Sequence, residues 1–449
     1  LKECKISILS KLAPVEYPFM DKAFNQKIAE IFEKISSIIN NIVRENKNFK
    51  ERIKLKYLDE LENNPLRVRD TIREYITTFG ATCQQTQGKE ILSAKKRTLE
   101  NKINNGKFYD ETRTYENVLI DEAARSNPPD LLIPMSMAKR RIILVGDHKQ
   151  LPHLIDENIL EYLKDEEKKN GEKDVKSFIE EEIKTSMFEK LKISCEELEK
   201  YDGIKRVIML NRQYRMHPKM GTFVSKHFYE GKLENGLEED KFDNRLKDLE
   251  RKVFAWIDIS NKYQEKKKNN SFYRNIEAKE IAEFIYKHID SEEAKGKNFG
   301  VITFYSSQKD EILKELANEE NKAYERQDLI VVRENNNYVM SDKYKFSNEE
   351  GINEKIRIGS VDAFQGMEFN FVCLSMVRSN NEKNIRKKFG FLTNRNRLCV
   401  AMSRQKELLV VFGDSKMLEG EKHTDIEVLQ EYLKMCKEDG EYGKFESIL

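Results

Sequence analysis

The chain has 449 residues, too many for one ordinary hydrophobic core, so its length predicts two large domains with insertions. Charged residues make up 35% and apolar residues 39%, and the formal net charge of +1 neither favours nor excludes a nucleic-acid partner. No run approaches the length of apolar sequence that spans a membrane, and the start predicts no secretory signal. Six scattered cysteines without a CxxC pair predict reduced thiols in a cytoplasmic protein and argue against a zinc cluster.

The first part of the chain has helical periodicity, with apolar residues on one face and Lys and Glu on the other. Residues 20–75 therefore predict an amphipathic helical pair packed on a neighbour. The apolar positions that carry this pattern are Ile28, Ile31, Phe32, Ile35, Ile38 and Ile39.

Short β-branched runs separated by helical stretches follow, a pattern typical of buried parallel strands in an α/β protein. The predicted strands are 75–79, 117–120 and 141–145, then 207–210, 253–257, 300–303, 356–359, 371–375 and 408–412. The charged segment 161–182 predicts a solvated helical excursion, and the polar stretches 261–271 and 318–353 predict loops or insertions. A division near residue 203 gives two tandem parallel-sheet domains.

Two adjacent carboxylates, Asp121 and Glu122, follow the strand 117–120 directly. The carboxyl edge of a parallel sheet is where such folds bind ligands, so the first carboxylate suits Mg²⁺ and the second can orient and deprotonate water. A solvated surface pair is the alternative. The strand 141–145 ends in the same way, in Gly-Asp-His-Lys-Gln-Leu-Pro, where Gly146 permits a tight turn and Gln150 can sense a γ-phosphate or water.

Asp-Glu-Ala-Ala followed by this segment resembles motifs II and III of superfamily 1 helicases, in the branch of the nonsense-mediated-decay helicase. The segment 210–218, Leu-Asn-Arg-Gln-Tyr-Arg-Met-His-Pro, is similar to the signature that opens the family's second domain. That resemblance implies that Tyr214 stacks on the adenine and that Arg215 reaches the γ-phosphate. A planar ring and a fixed cation suit these tasks. The following Phe-Tyr-Glu-Gly-Lys-Leu segment, 228–233, is expected to be structural.

Three further segments resemble family motifs in the family's order. The segment 300–308 has Phe304 where relatives usually have Pro, and its Ser306 and Ser307 are expected to contact a sugar-phosphate backbone. A helix cap is the alternative for both serines. The segment 360–368 resembles motif V, which implies that Ser360 contacts nucleic acid and that Gln365, Gly366 and Glu368 lie at the nucleotide.

The segment 396–404 resembles motif VI, which makes Arg404 the arginine finger that stabilises charge on the transferring phosphoryl group; a solvated helix residue is the alternative. Upstream, the segment 79–85 resembles another motif, and Thr82 is expected on a nucleic-acid phosphate. Arg125 stands where relatives often have Gln. The resemblance runs from about residue 75 to residue 414.

The fold that this resemblance implies is α/β, with two tandem RecA-like domains. Residues 1–70 would be a helical stalk and insertion remnant, 71–203 a first RecA-like domain and 204–449 a second. The phosphate-loop pattern GxxxxGK[ST] does not occur in the 449 residues. We therefore expect the given chain to be the carboxyl-terminal portion of a longer helicase and to bind ATP weakly or not at all; a paralogue without the loop is the alternative.

The function implied is a monomeric 5′→3′ translocase that hydrolyses ATP with Mg²⁺ while moving on single-stranded DNA or RNA. A catalytically inactive module that binds nucleic acid or a partner is the competing hypothesis. The carboxylates, Gln150 and the two arginines favour the enzyme, because a module that only binds has no use for them.

Overall fold

The computed structural model describes residues 30, 33, 34, 37, 49–68, 78–87, 115–153, 185–318, 329–335, 337–345 and 354–448. The chain divides into two compact units, Leu1–Asp110 and Glu111–Leu449. In the first unit, helix α1 spans Phe49–Asn63, and a short 3-10 turn spans Gln84–Gln87. Most of the predicted helical pattern at 28–39, the strand residues 75–77 and the charged segment 161–182 lie outside the described residues.

In its described residues, the second unit contains a smaller and a larger parallel sheet, besides a short parallel pair formed by Arg212–Gln213 and Glu234–Asn235. In the smaller one, strands β1 (Tyr115–Ile120) and β2 (Ala138–Leu144) pair in parallel, joined through helix α2 (Pro128–Ser136). These strands confirm the runs predicted at 117–120 and 141–145. Helix α3 follows at Met187–Asp202, begins with a Ser186 cap and ends at Gly203 in the left-handed conformation.

The larger sheet has six strands, all parallel, in the order β11-β8-β12-β13-β5-β14. The remaining strands of the unit are β3 (Arg212–Gln213), β4 (Glu234–Asn235), β5 (Phe254–Ile259), β6 (Lys266–Lys268), β7 (Ser271–Tyr273), β8 (Phe299–Thr303), β9 (Val331–Glu334), β10 (Asn337–Met340), β11 (Ile356–Ser360), β12 (Phe369–Ser375), β13 (Gln405–Gly413) and β14 (Gly443–Ile448). The five runs predicted between 253 and 412 are confirmed as β5, β8, β11, β12 and β13.

Helices cover both faces of this sheet. The remaining helices are α4 (Pro218–Phe228), α5 (Asn275–His288), α6 (Ser306–Leu316), α7 (Asp342–Lys345), α8 (Ile385–Phe389), α9 (Arg395–Ala401) and α10 (Glu427–Glu438). The sheet thus lies between two layers of helices, because alternate residues of a strand face opposite sides. Trp256 and Val411 pack with α4, α9 and α10 on one side. Ala255 and Val410 pack with α5 and α6 on the other. The α/β fold class is thereby confirmed.

One strand prediction was wrong, and the two stretches predicted as loops or insertions contain hairpins. The run 207–210 forms no strand, and Ile208 and Leu210 are 72% and 78% exposed. Among the described residues its β-branched side chains have no neighbouring strand to pair with, which outweighs their propensity. The polar stretch 261–271 contains most of the antiparallel β6–β7 hairpin, and the described part of 318–353 contains the β9–β10 hairpin.

Candidate functional site

The paired carboxylates lie at the carboxyl end of β1, as predicted. Both residues are exposed, and the backbone amide of Glu122 donates to Asp121 Oδ1 at 2.9 Å. Glu122 has a φ of 52°, an unusual conformation for a residue with a side chain, which bends the chain away from the strand. A Cβ placed on Gly366 would lie 3.8 Å from Glu122 Oε1. The loop after β1 and the segment before β12 therefore meet.

The loop after β2 is organised by Asp147. A Cβ on Gly146 would lie only 2.9 Å from the backbone nitrogen of Ala124, so this tight approach requires glycine. Asp147 Oδ2 accepts from the Gln150 side-chain amide at 2.8 Å, and its Oδ1 accepts from the Lys149 backbone amide at 2.9 Å. These bonds fix the orientation of the Gln150 amide.

Side chains from segments that pack on the large sheet, here called the large-sheet half of the unit, hold the same loop. The hydroxyl of Tyr229, from the segment expected to be structural, donates to Asp147 Oδ2 at 2.5 Å. Asn396 Nδ2 donates to the backbone oxygens of Gln150 at 2.6 Å and His148 at 3.2 Å. No sequence pattern assigned these roles, because each bond joins residues far apart along the chain.

Arg404 lies beside Gln150. The guanidinium is 1% exposed and donates to Gln150 Oε1 at 3.4 Å and to Ser403 Oγ at 2.7 Å. Burial, and next the positive charge of Arg215, lower the pKa of Arg404 to about 10. Arg404 therefore remains charged at neutral pH, and it is not the solvated helix residue of the alternative interpretation.

Arg215 is half-buried and paired with a carboxylate. Its Nε lies 3.1 Å from Glu368 Oε2, and its Nη1 donates to the Ser403 carbonyl at 3.1 Å. Lys406 Nζ lies 2.7 Å from the other oxygen of Glu368. Burial alone would raise the pKa of Glu368, but hydrogen bonds from Lys406 and Arg215 hold it below its usual range. Two cations thus meet at one carboxylate next to Arg404.

Tyr214 presents an accessible ring, with 62% of the residue exposed. A Cβ on Gly236 would lie 2.3 Å from the Tyr214 ring, so glycine is needed for the ring to rest on this backbone. Gln213 Oε1 accepts from the backbone amides of Arg215 at 2.9 Å and Met216 at 2.8 Å, which fixes the turn that carries both side chains. Gln213 is a positioning residue that the sequence did not single out.

Gln365 and Gly366 have the features of a ligand-facing turn. Gly366 has a φ of 77°, which favours glycine. Gln365 is 8% exposed, and its Oε1 is buried without a hydrogen-bond partner in the described part of the chain. A buried acceptor left in this state is unfavourable, so it suits a donor brought by a ligand or by water.

Of the four residues predicted to contact nucleic acid, three lie in the unit Glu111–Leu449 and one, Thr82, lies in the other unit. Ser306 Oγ donates to Ser271 Oγ at 3.3 Å, and Ser307 Oγ donates to the Lys268 carbonyl at 3.2 Å, so both serines contact the β6–β7 hairpin. Neither caps α6: Tyr305 is the N-cap residue and makes no side-chain cap bond. The half-buried Ser360 precedes the 3-10 turn Val361–Phe364. Thr82 lies in the unit Leu1–Asp110, where its exposed Oγ1 accepts from the Gln85 amide at 3.3 Å.

Some of the predicted site residues do come together in one region. Glu122 meets Gly366, Gln150 meets Arg404, and Arg215 meets Glu368, so loops from the edge of the small sheet and from the large-sheet half share one site. In the described part of the chain, no group of three or more His, Cys, Asp or Glu side chains is arranged to hold a metal. No described helix is long and apolar enough to cross a membrane.

The parallel sheets with acidic, amide and arginine side chains at their edges define the class: an α/β protein of the RecA-like type. Two family profiles described as "AAA domain" match residues 13–158 and 183–416, and the second covers more than half of the chain. The chain belongs to this AAA-domain family, among superfamily 1 helicases of the nonsense-mediated-decay type.

Curated relatives agree with this assignment. The "Regulator of nonsense transcripts 1 homolog" of Neurospora crassa is 29% identical over 68% of this chain and 23% of its own length. The "ATP-dependent helicase upf1" of Schizosaccharomyces pombe is 28% identical over 88% of this chain and 36% of its own length. The "ATP-dependent helicase NAM7" of Saccharomyces cerevisiae is 29% identical over 68% of this chain and 26% of its own length. The chain thus spans about a quarter to a third of these relatives.

Solved structures of viral helicases are also similar in part. The PRRSV helicase aligns with a TM-score of 0.28 and 13% identity over 68% of this chain and 36% of that one. An Arterivirus nonstructural protein 10 (helicase) in complex with DNA aligns with a TM-score of 0.28 and 11% identity, over 69% of this chain and 42% of that one.

Proposed function

We propose that the chain is part of an ATP-driven motor that moves 5′→3′ on single-stranded DNA or RNA, as a monomer in the cytoplasm. The observation that carries the proposal is the contact between Gln150, after β2, and the buried Arg404, after α9. A charged guanidinium held 1% exposed beside an oriented amide suits a phosphoryl group that develops charge. A surface that only binds a partner has no need for this arrangement.

The candidate residues have the chemistry to bind the γ-phosphate and the adenine of MgATP. Asp121 would hold Mg²⁺, and Glu122 would orient and deprotonate the attacking water. Gln150 would position that water while Arg404 stabilises negative charge. The phosphate cradle has no counterpart among these residues, since the GxxxxGK[ST] pattern does not occur in the 449 residues.

The residues around the arginines have complementary tasks. Tyr214 offers its exposed ring to the adenine, and Arg215 can exchange Glu368 for a phosphate oxygen without moving far. Glu368 would then be free for the ribose or the phosphates, still paired with Lys406. Gln365 and Gly366 would line the same cleft, where the unpartnered Gln365 Oε1 can accept a hydrogen bond.

Nucleic acid would contact Ser306, Ser307 and Ser360 outside the nucleotide cleft, and Thr82, in the other unit, is by resemblance a separate contact to a phosphate. Hydroxyls contact the sugar-phosphate backbone without reading sequence, as a translocating motor requires. Closure of the two sheet regions around ATP would couple hydrolysis to steps along the strand.

The test is ATP hydrolysis with and without single-stranded DNA or RNA, in this chain and in the product of the complete gene. We expect stimulated hydrolysis in at least the latter, and a loss of about 10²-fold or more in Glu122→Gln, because its amide cannot accept a proton. Glu116→Gln, which changes an exposed glutamate of β1, the strand that precedes Glu122, is the matched control and should remain active. Equal hydrolysis by Glu122→Gln and the unmodified protein would contradict the catalytic assignment.

A further inference from the structure

The β6–β7 hairpin is a positively charged element whose position is fixed by its base. Its turn residues Asn269 and Asn270 have φ values of 47° and 61°, the conformation of a tight two-residue hairpin turn. All three residues of β6, Lys266, Lys267 and Lys268, are exposed. Within the described ranges, none of the three ammonium groups has a carboxylate as ion-pair partner.

Glu265, the acidic residue next to these lysines, is already engaged. Its carboxylate accepts from the Ser379 amide at 2.5 Å and from Asn380 Nδ2 at 2.9 Å, and lies 3.1 Å from Arg378 Nη2. These bonds hold the start of the hairpin against the loop after β12. The lysines consequently project from an anchored element, with their charge available to an anion.

A row of aromatic rings leads from the hairpin to an exposed phenylalanine. The Phe272 ring of β7 contacts Tyr305 edge-on, with centroids 5.6 Å apart, and Tyr305 lies 5.3 Å from Phe391. The Arg397 guanidinium lies 4.3 Å from the centre of the Phe391 ring. Phe391 nevertheless remains 44% exposed.

The position of Phe391 is fixed by its neighbours. Gly390 has a φ of 55°, and a Cβ there would lie 2.5 Å from the Tyr305 hydroxyl, so only glycine allows this approach. The Phe391 amide donates to the same hydroxyl at 3.4 Å. An exposed ring held by this backbone loses little conformational entropy when a flat partner stacks on it.

We propose that Phe391 with Arg397 forms a base-stacking platform and that the lysines of β6 hold the phosphates of the same single strand. This inference rests on the proposed function and names the surface that the strand follows. Stacking on an aromatic ring beside cations that track the backbone is the chemistry of sequence-independent single-strand binding. Ser306 and Ser307 bond to the hairpin, and they directly follow Tyr305, whose ring contacts Phe391.

The experiment is fluorescence anisotropy with labelled oligo(dT) and oligo(U) of about 20 nucleotides, long enough to cover the surface. Phe391→Ala should weaken the binding of the preferred oligonucleotide, whether oligo(dT) or oligo(U), about ten-fold or more. Phe391→Trp should restore this binding. Tyr201→Ala, which removes a ring that is 96% exposed on α3, should bind like the unmodified protein. All these positions are exposed, so the variants should fold, which circular dichroism checks.

The lysines are tested by salt dependence. Changing Lys266, Lys267 and Lys268 together to Ala should reduce the slope of log affinity against log salt by about 2 units, at about 0.7 for each lost phosphate contact. Lys434→Ala, on α10, should leave the slope unchanged.

The two proposals fail in different ways. An unmodified protein that binds neither oligonucleotide would overturn the motor and the platform together. Tight binding that is unaffected by Phe391→Ala and by the lysine variant would overturn the platform alone. Binding lost with Phe391→Ala and not restored by Phe391→Trp would likewise contradict stacking.

Discussion

The small β1–β2 sheet and the large six-stranded sheet of the unit Glu111–Leu449 differ in how they are covered. In the small sheet, Leu119, Ile142 and Ile143 are 65%, 44% and 45% exposed, although they lie in strands. In the large sheet, every residue of β13 except Lys406 is buried. The large sheet therefore has its own core on both faces, while the described part of the small sheet leaves apolar surface accessible.

This difference shows how the candidate site is held. The loop after β2 contacts the large-sheet half through Tyr229, Asn396 and Arg404, and the loop after β1 contacts it through Gly366. Both loops that carry the catalytic candidates thus meet elements packed against the larger core. These polar contacts are accompanied by an apolar one, because Leu151 of the loop after β2 packs in the buried cluster that covers one face of the large sheet.

The largest expected effect is a difference in the free energy of unfolding between a variant in the large sheet and a variant in the small sheet. Phe371→Ala removes a fully buried ring that lies 5.1 Å from Phe299, and should lower the free energy of unfolding by about 3–5 kcal/mol. Ile143→Ala changes a residue that is 45% exposed and should cost less than about 1 kcal/mol. Urea unfolding of both variants measures this contrast. A similar loss for the two substitutions would mean that the small sheet is as well covered as the large one.

A smaller effect should appear at the contact between the halves. Tyr229→Phe removes the hydroxyl that donates to Asp147, a bond to a carboxylate worth about 1.5–3 kcal/mol. We expect a lower kcat for ATP hydrolysis with little change in KM, because Asp147 would hold Gln150 less well.

Tyr263→Phe, at a residue that is 48% exposed, serves as the control for this substitution. If Tyr229→Phe lowered stability but left kcat unchanged, Tyr229 would have only the structural role expected from its sequence.

The sequence predicted the strands of the large sheet well, because a local run of apolar residues is enough to recognise a buried strand. Five of the six strands of the large sheet were identified, because each contains a short apolar run; four of them are almost fully buried, and the edge strand β11 is partly buried. The exception, β14 (Gly443–Ile448), mixes charged and apolar residues at the edge of the sheet, where one side needs no partner strand. The run 207–210 has strand composition, but no strand in the described part of the chain pairs with it.

The site was predictable as a set of residues but not as a set of contacts. The strand ends placed Asp121, Glu122 and Gln150 at a sheet edge, and the resemblance supplied Arg215 and Arg404. The bonds of Tyr229 and Asn396 join segments from 82 to 248 residues apart, and no local pattern encodes them. The β6–β7 hairpin was missed although Asn269-Asn270 is a recognisable turn signal, because lysines made the stretch look like a solvated loop.

The central claim is that side chains from both sheet regions act as one catalytic site. A double-mutant cycle on Gln150→Ala and Arg404→Ala tests it most directly, with single-strand-stimulated ATP hydrolysis by the product of the complete gene as the measurement. We expect each single substitution to reduce kcat, Arg404→Ala by about 10³-fold or more, and the double variant to be little worse than Arg404→Ala alone. Fully additive losses in the double variant would contradict the shared site.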